Sequence, residues 1–165
     1  HRNPQGLMVF NKSIILSTEH GPMGGDEINL IKKNSNYGWK KASYGEPYKN
    51  FSIKNEFLLS KNHQLNNFVE PIYAYIPAIG ISEIIDVNNK FSPKWNKNFL
   101  ITSLNGRSIY RVYFDPNFSK IITQEKIFVG ERIRDIVKDN EGKFFILALE
   151  DTGSIGILSR KNYDD

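Results

Sequence analysis

An all-β fold is what this sequence predicts, and three observations carry it. Apolar and polar residues alternate over short runs, as at Met8 and Phe10 and again at Ile14 and Leu16. That is the period of a strand with one buried face. The runs are bounded by turn-forming clusters such as Asp115-Pro116-Asn117 and Asp139-Asn140-Glu141-Gly142. No stretch sustains a helical period of apolar residues.

Taken in order, Leu7–Phe10, Ser13–Thr18 and Glu27–Lys33 read as three strands of a first sheet. The stretch Ser17–Asn29, STEHGPMGGDEIN, joins the last two through a Gly- and Pro-rich loop. Asn34–Gly45 is a loop rich in Asn, Tyr and Gly. Lys40–Asn67 is polar and poorly periodic, and reads as a long connection over one end of the sheets, with a short packed or helical segment at Phe57–Leu59. Connections of this length are often functional. From Pro77 the strand signals return: Ile79–Val87, Phe99–Leu104, Ser108–Phe114 and Ile121–Val129 make a second, four-stranded set. Arg132–Lys138, Lys143–Leu149 and Ser154–Ser159 make a third. The tail Lys161–Asp165 reads as frayed.

The length, 165 residues, suits one domain. The net charge of +4 is spread out, with Lys32–Lys33 and Lys40–Lys41 the densest basic spots. That pattern is a solvated surface rather than a nucleic-acid face. There is no cysteine, which excludes disulfides and thiol chemistry and fits any redox compartment. No apolar run approaches the roughly 20 residues of a membrane helix.

Several residues carry chemistry by type and place. Gly21, Gly24 and Gly25 permit backbone conformations that other residues resist. Pro22 gives up a donor and keeps its carbonyl. Exposed carbonyls beside Asp26 and Glu27 form an oxygen-only set, which hard cations such as calcium want. A Gly-Pro turn with no ion is the competing reading. Arg2, beside Asn3, has a fork that matches carboxylates and a plane that stacks on rings. Arg132 and Arg134 alternate along a strand and so share a face. Either they line a channel around an anion, or both face solvent. Asp135, on the other face, is placed to hold neighbouring backbone.

HRNPQGL at the start, EHGPMGGDEIN at Glu19–Asn29, NYGW at Asn36–Trp39 and RIRD at Arg132–Asp135 resemble the soluble glucose dehydrogenase and aldose sugar dehydrogenase family. The four matches stand in family order and span nearly the whole chain. The resemblance implies a six-bladed β-propeller that uses pyrroloquinoline quinone (PQQ) and calcium. With roughly 40–45 residues per WD40-type blade, residues 1–165 are expected to be a partial propeller domain of about three four-stranded antiparallel blades. The chain opens at His1 inside a family motif, and so reads as a piece of a longer protein.

The resemblance also implies roles. Arg2, Asn3, Arg132 and Arg134 match residues that bind PQQ. Gly21 and Pro22 match the positions whose carbonyls hold the calcium that also holds PQQ, an ion that acts as a Lewis acid on the quinone. Glu27 and the Tyr37 carbonyl match a second, structural calcium site, with Glu70 as a further carboxylate. His20 stands where some relatives carry Gln. There are departures. Asn105-Gly106-Arg107 stands near a family Lys that touches the quinone, so Arg107 either substitutes for it or points away. Leu149 stands near a PQQ-binding Thr, and Ile76, next to Tyr75, stands near an aromatic platform for the sugar.

The family's catalytic His lies in the N-terminal half of the propeller, and no residue here matches it. His63 sits in a polar loop with no feature that promotes it. The expected protein oxidises the C1 hydroxyl of an aldose to a lactone, in the periplasm or outside the cell, with this chain holding cofactor and calcium. A non-catalytic propeller module that keeps the calcium loop is the alternative, and a lectin-like sugar binder a third reading. The expected partners are a small-molecule aldose, no nucleic acid and no membrane. A homodimer is also expected, two three-bladed pieces completing the ring through apolar end faces such as Ile14/Leu16 and Ile146/Ala148.

Overall fold

The computed structural model describes residues 1–48 and 59–161. The segment expected at Phe57–Leu59 falls, except for Leu59, outside the described residues, as does the tail beyond Lys161. The described chain forms three antiparallel sheets from consecutive strands. The first contains β1 (Pro4–Phe10), β2 (Ile14–Glu19), β3 (Asp26–Leu30) and β4 (Tyr73–Tyr75). The second contains β5 (Ile81–Asp86), β6 (Phe99–Ser103), β7 (Ser108–Phe114) and β8 (Ile121–Phe128). The third contains β9 (Ile133–Lys138), β10 (Phe144–Leu149) and β11 (Ser154–Ser159). So two sheets have four strands, and the third has three among the described residues. Helical structure there is confined to single 3-10 turns at Gln64–Asn66 and Pro93–Trp95.

These sheets stack face to face as β-propeller blades. Met8, Leu16, Ile28 and Tyr75 of the first blade pack on Ile81, Ile84, Phe99, Ile101 and Val112 of the second. Leu100 and Ile109 of the second pack on Ile133, Ile136, Phe145 and Leu147 of the third. Strand β6 is buried on both faces, which is why FLITS reads as a continuous rather than an alternating run. At the inner edge the blades are tied by buried polar bonds. The Thr18 hydroxyl donates to the Ser82 carbonyl and accepts from the Gly6 amide, and the Ser82 hydroxyl donates to the Ile133 carbonyl at 2.6 Å. Those bonds satisfy groups that would otherwise be buried unpaired.

Strand β4 was not expected. It pairs Tyr73–Tyr75 with Asp26–Ile28, after the long connection. Three residues ahead of Pro77 are too few to show a period. The open apolar faces also differ from expectation at one end. Leu16 has no exposure and faces the second blade. Leu7 and Val9 on β1 are exposed instead. On the third blade Val137, Ile155 and Ile157 are exposed around Ile146 and Ala148.

Candidate functional site

The β2–β3 loop is built by close approach. A Cβ on Gly21 would lie 2.1 Å from the Gly24 carbonyl oxygen, and one on Gly25, at φ +67°, would lie 2.3 Å from the Gly45 nitrogen. Neither position admits a side chain. Buried Asp26 pins the loop: Oδ1 accepts from the Gly21 amide at 3.1 Å and Oδ2 from the Ile81 amide at 3.0 Å. Gly21 and Pro22 are both buried, and the Pro22 carbonyl accepts from the Tyr48 hydroxyl at 3.3 Å.

Beside this loop, Glu19 and Glu27 are cross-strand partners, only 3% and 6% exposed. Asn29 Nδ2 donates to Glu19 at 2.9 Å and to Glu27 at 3.2 Å. Glu19 is further held by the Arg2 amide at 2.9 Å and by His1 Nδ1 at 3.0 Å. Burial drives the Glu27 carboxyl up to about 8, the Asn29 bond opposing and the Glu19 charge adding to the rise. Asn29 Oδ1 is buried with no partner. Glu19, Glu27, His20, Gly21 and Tyr37 border a space of about 10 Å³, room for one water-sized particle. A small space bordered by two buried acids fits a hard cation. Among the described residues no three His, Asp or Glu side chains converge as a metal site, so an ion here needs backbone carbonyls too. Tyr37 stands at this edge, its ring 4.1 Å from that of His1. Its hydroxyl donates to the Leu30 carbonyl at 2.8 Å and accepts from the Lys32 amide at 2.7 Å.

Glu70 is placed differently. Its Oε1 accepts from the amides of His63 and Gln64 at 3.0 and 3.2 Å, and its Oε2 from the Tyr44 hydroxyl at 2.7 Å. Between Glu70 and Glu27 lies the ring of His63, with no exposure. Its Nε2 is 3.9 Å from Glu27 and its Nδ1 3.5 Å from Glu70. The two carboxylates therefore face opposite edges of one imidazole. Neither ring nitrogen has a hydrogen-bond partner, and burial holds the His63 pKa down against the pull of Glu70 and Glu19. Glu19, Asn29 and His63 were missed in the sequence. Glu19 and Asn29 could have been found by pairing STE against DEIN in antiparallel register. HQLN carries no signal at all.

The arginines gather in two places. Arg132 Nη2 is 3.2 Å from Glu150 Oε1, and Arg134 Nη2 is 2.6 Å from Glu150 Oε2. One carboxylate thus takes both, as a shared face requires. Arg107 joins them by pairing with Asp151 at 2.8 Å and donating to the Gly130 carbonyl at 2.9 Å. Three guanidiniums against two carboxylates leave an excess positive charge. Asp135 Oδ1 accepts from the Ile136 amide at 2.7 Å, the backbone-holding role expected of it. Leu149 packs on the second core and offers no polar group. Arg2 lies with the β2–β3 loop instead. Its Nη1 donates to the His20 carbonyl at 3.1 Å, and its guanidinium carbon is 5.3 Å from the Trp39 ring centroid. Asn3 is exposed; its side-chain oxygen accepts from Gln5 and its carbonyl from the His20 amide. Tyr75 is buried with its hydroxyl on Gln124 at 2.8 Å, so its ring is internal, whereas Ile76 is exposed.

Comparison with known proteins agrees with this fold. The family model described as Glucose / Sorbosone dehydrogenase matches residues 1–158. The aldose sugar dehydrogenase YliI of Escherichia coli is 29% identical, over 98% of this chain and 43% of its own length. The quinoprotein glucose dehydrogenase B of Acinetobacter calcoaceticus is 26% identical, over 94% of this chain and 42% of its own. A crystal structure of glucose dehydrogenase superposes with a TM-score of 0.83 at 27% identity, over 98% of this chain and 46% of that one. The chain spans less than half the length of these relatives. The chain belongs to the glucose / sorbosone dehydrogenase family.

Proposed function

We propose that this chain is the cofactor- and calcium-holding part of a PQQ-dependent aldose sugar dehydrogenase, which oxidises an aldose C1 hydroxyl to a lactone in the periplasm or outside the cell. The observation that carries this is the buried Glu19–Glu27 pair beside the Gly21–Pro22 loop, both acids bordering one small space and the Glu27 carboxyl driven up to about 8 by burial. Glu27 and the Tyr37 carbonyl would hold a structural calcium there, with Glu19 as the neighbouring carboxylate. Glu70 supports that site from behind His63. The carbonyls of Gly21 and Pro22 would hold the calcium next to the quinone, and Arg2 and Asn3 would meet the quinone's edge. Arg132 and Arg134 offer two guanidiniums to one carboxylate, which leaves positive charge for an anionic cofactor. When bound, the quinone supplies the hydride acceptor.

The general base is the part that these residues do not provide. His63 is sealed, with burial favouring its neutral form. The test is dye-linked oxidation of glucose by the full-length parent with PQQ and calcium, and its loss on Arg132→Ala. The second reading, a non-catalytic module that keeps the calcium loop, is favoured by Leu149, which presents no donor at a family PQQ contact. PQQ binding without turnover in the full-length parent would select it.

A further inference from the structure

The connections between strands fall at two opposite ends of the sheets. The β2–β3 loop and the arginines before β9 occupy one end. The β1–β2, β5–β6, β7–β8 and β9–β10 connections occupy the other, as the antiparallel pairing requires. They touch one another there. The ring of Phe10 lies 5.9 Å from that of Phe118, and a Cβ on Gly142 would meet Asn88 Nδ2 at 2.3 Å. Three blades thus present their turns on one broad end.

The acids of this end are already engaged. Asp115 Oδ1 accepts from the Ser119 and Lys120 amides at 2.6 and 2.8 Å, and Asp139 Oδ1 from the Lys143 and Phe144 amides at 2.6 and 2.9 Å. Asp86 pairs with Lys138 at 2.6 Å, and Glu141 pairs with Lys143. Lys12, Lys90, Lys94, Lys97 and Lys120 are exposed and have no carboxylate partner among the described residues. The other end is the reverse, for Arg107, Arg132 and Arg134 each meet a carboxylate there. Lysines that stand far apart in the sequence are gathered by the fold into one positive face.

The character of this face selects its partner. The aromatic residues of its turns are packed: Trp95 lies on Phe91, and Phe118 on Phe99 and Phe114. The turns therefore offer no platform on which bases could stack. Every unpaired charge is a lysine, a compact and strongly hydrated point charge rather than a fork. Interfaces between proteins are depleted in lysine. A planar anionic surface asks only for such charges, and each lysine near an anionic bilayer strengthens binding about fivefold.

We propose that this end of the propeller docks on a bilayer surface rich in anionic lipid, through Lys12, Lys90, Lys94, Lys97 and Lys120. The contact is electrostatic and lies in the headgroup plane. It needs no spanning segment, and among the described residues no helix is long and apolar enough to cross a membrane. Docking this way turns the β2–β3 loop and the arginines towards bulk water.

The test is cosedimentation of the purified chain with vesicles of phosphatidylcholine and phosphatidylglycerol in equal parts. Binding at low salt is expected. It should be lost in about 1 M salt, where the screening length falls to about 3 Å, and be absent from vesicles of phosphatidylcholine alone. Lys94→Gln/Lys120→Gln should weaken binding about thirtyfold. Lys41→Gln/Lys126→Gln removes the same charge away from this end and should weaken it less than about fivefold. Circular dichroism and melting curves establish that each variant is folded. No cosedimentation at low salt overturns the docking face. So does binding to phosphatidylcholine alone that survives high salt, which gives the contact to the exposed apolar end faces. Undiminished binding in folded Lys94→Gln/Lys120→Gln, or the same loss in both double variants, overturns it as well, since the place of the lysines would then not matter. Tighter binding to duplex DNA than to vesicles at equal phosphate gives the face to a nucleic acid and overturns the bilayer. The vesicles carry neither PQQ nor sugar, so the outcome is independent of the dehydrogenase reading.

Discussion

Glu19 and Glu27 face each other across β2 and β3, both shielded from solvent, and the one amide of Asn29 donates to both. Two acids in so little water cannot both ionise cheaply. One must keep a proton or share a cation.

The first prediction follows from that choice. The folded Glu27 value of about 8 lies above the ordinary carboxyl value of 4.5, so without a cation the native state holds an extra proton between those limits. Stability is then full below about 4.5 and falls as pH rises towards 8. Melting temperature without calcium should decline over that window, and the decline should disappear in Glu27→Gln.

Calcium should reverse the decline. Binding to the folded state alone contributes about 2.7 kcal/mol at a hundredfold excess over Kd. Because the ion replaces a proton on Glu27, calorimetry at pH 7 in buffers of different ionisation enthalpy should report release of close to one proton. Chelator titration of the melting temperature checks the same site, and no shift in either measurement removes it.

The chain alone, given PQQ and calcium, should show no sugar oxidation, since no residue in its sequence matches the family's catalytic His. His63→Ala should leave that baseline unchanged. Dye-linked glucose turnover by the purified chain, lost on Arg132→Ala, would overturn this.

Gly25→Ala should destabilise by more than about 1 kcal/mol. The new Cβ would meet the Gly45 nitrogen at 2.3 Å, at a φ of +67°. Gly153→Ala, at a φ of +65° but with nothing within 4 Å, should cost less. Denaturant midpoints of the two variants give the comparison.

We propose that the isolated chain dimerises through its end blades. Leu7 and Val9 at one end, and Val137, Ile155 and Ile157 at the other, are exposed apolar residues on sheet faces, the kind of surface that marks an interface. Two three-bladed pieces add to six blades, and a two-fold ring leaves no face open. Light scattering should report a dimer that Ile157→Lys dissociates. A monodisperse monomer with a cooperative melt rules the ring out.

What the sequence determined by itself was local. Alternation placed β1 to β3, β5 and β7 to β11, and a continuous apolar run placed β6, because side-chain direction along a strand depends only on the chain's own period. The turn glycines and the shared face of Arg132 and Arg134 were legible for the same reason. Only the tertiary structure decided what meets across the fold. It paired Tyr73–Tyr75 with β3 and turned Leu16 inward. It brought Arg107 to Asp151 beside Arg132, and set His63 between Glu27 and Glu70. Each of these depends on segments distant in sequence, joined by burial and charge that no local pattern encodes.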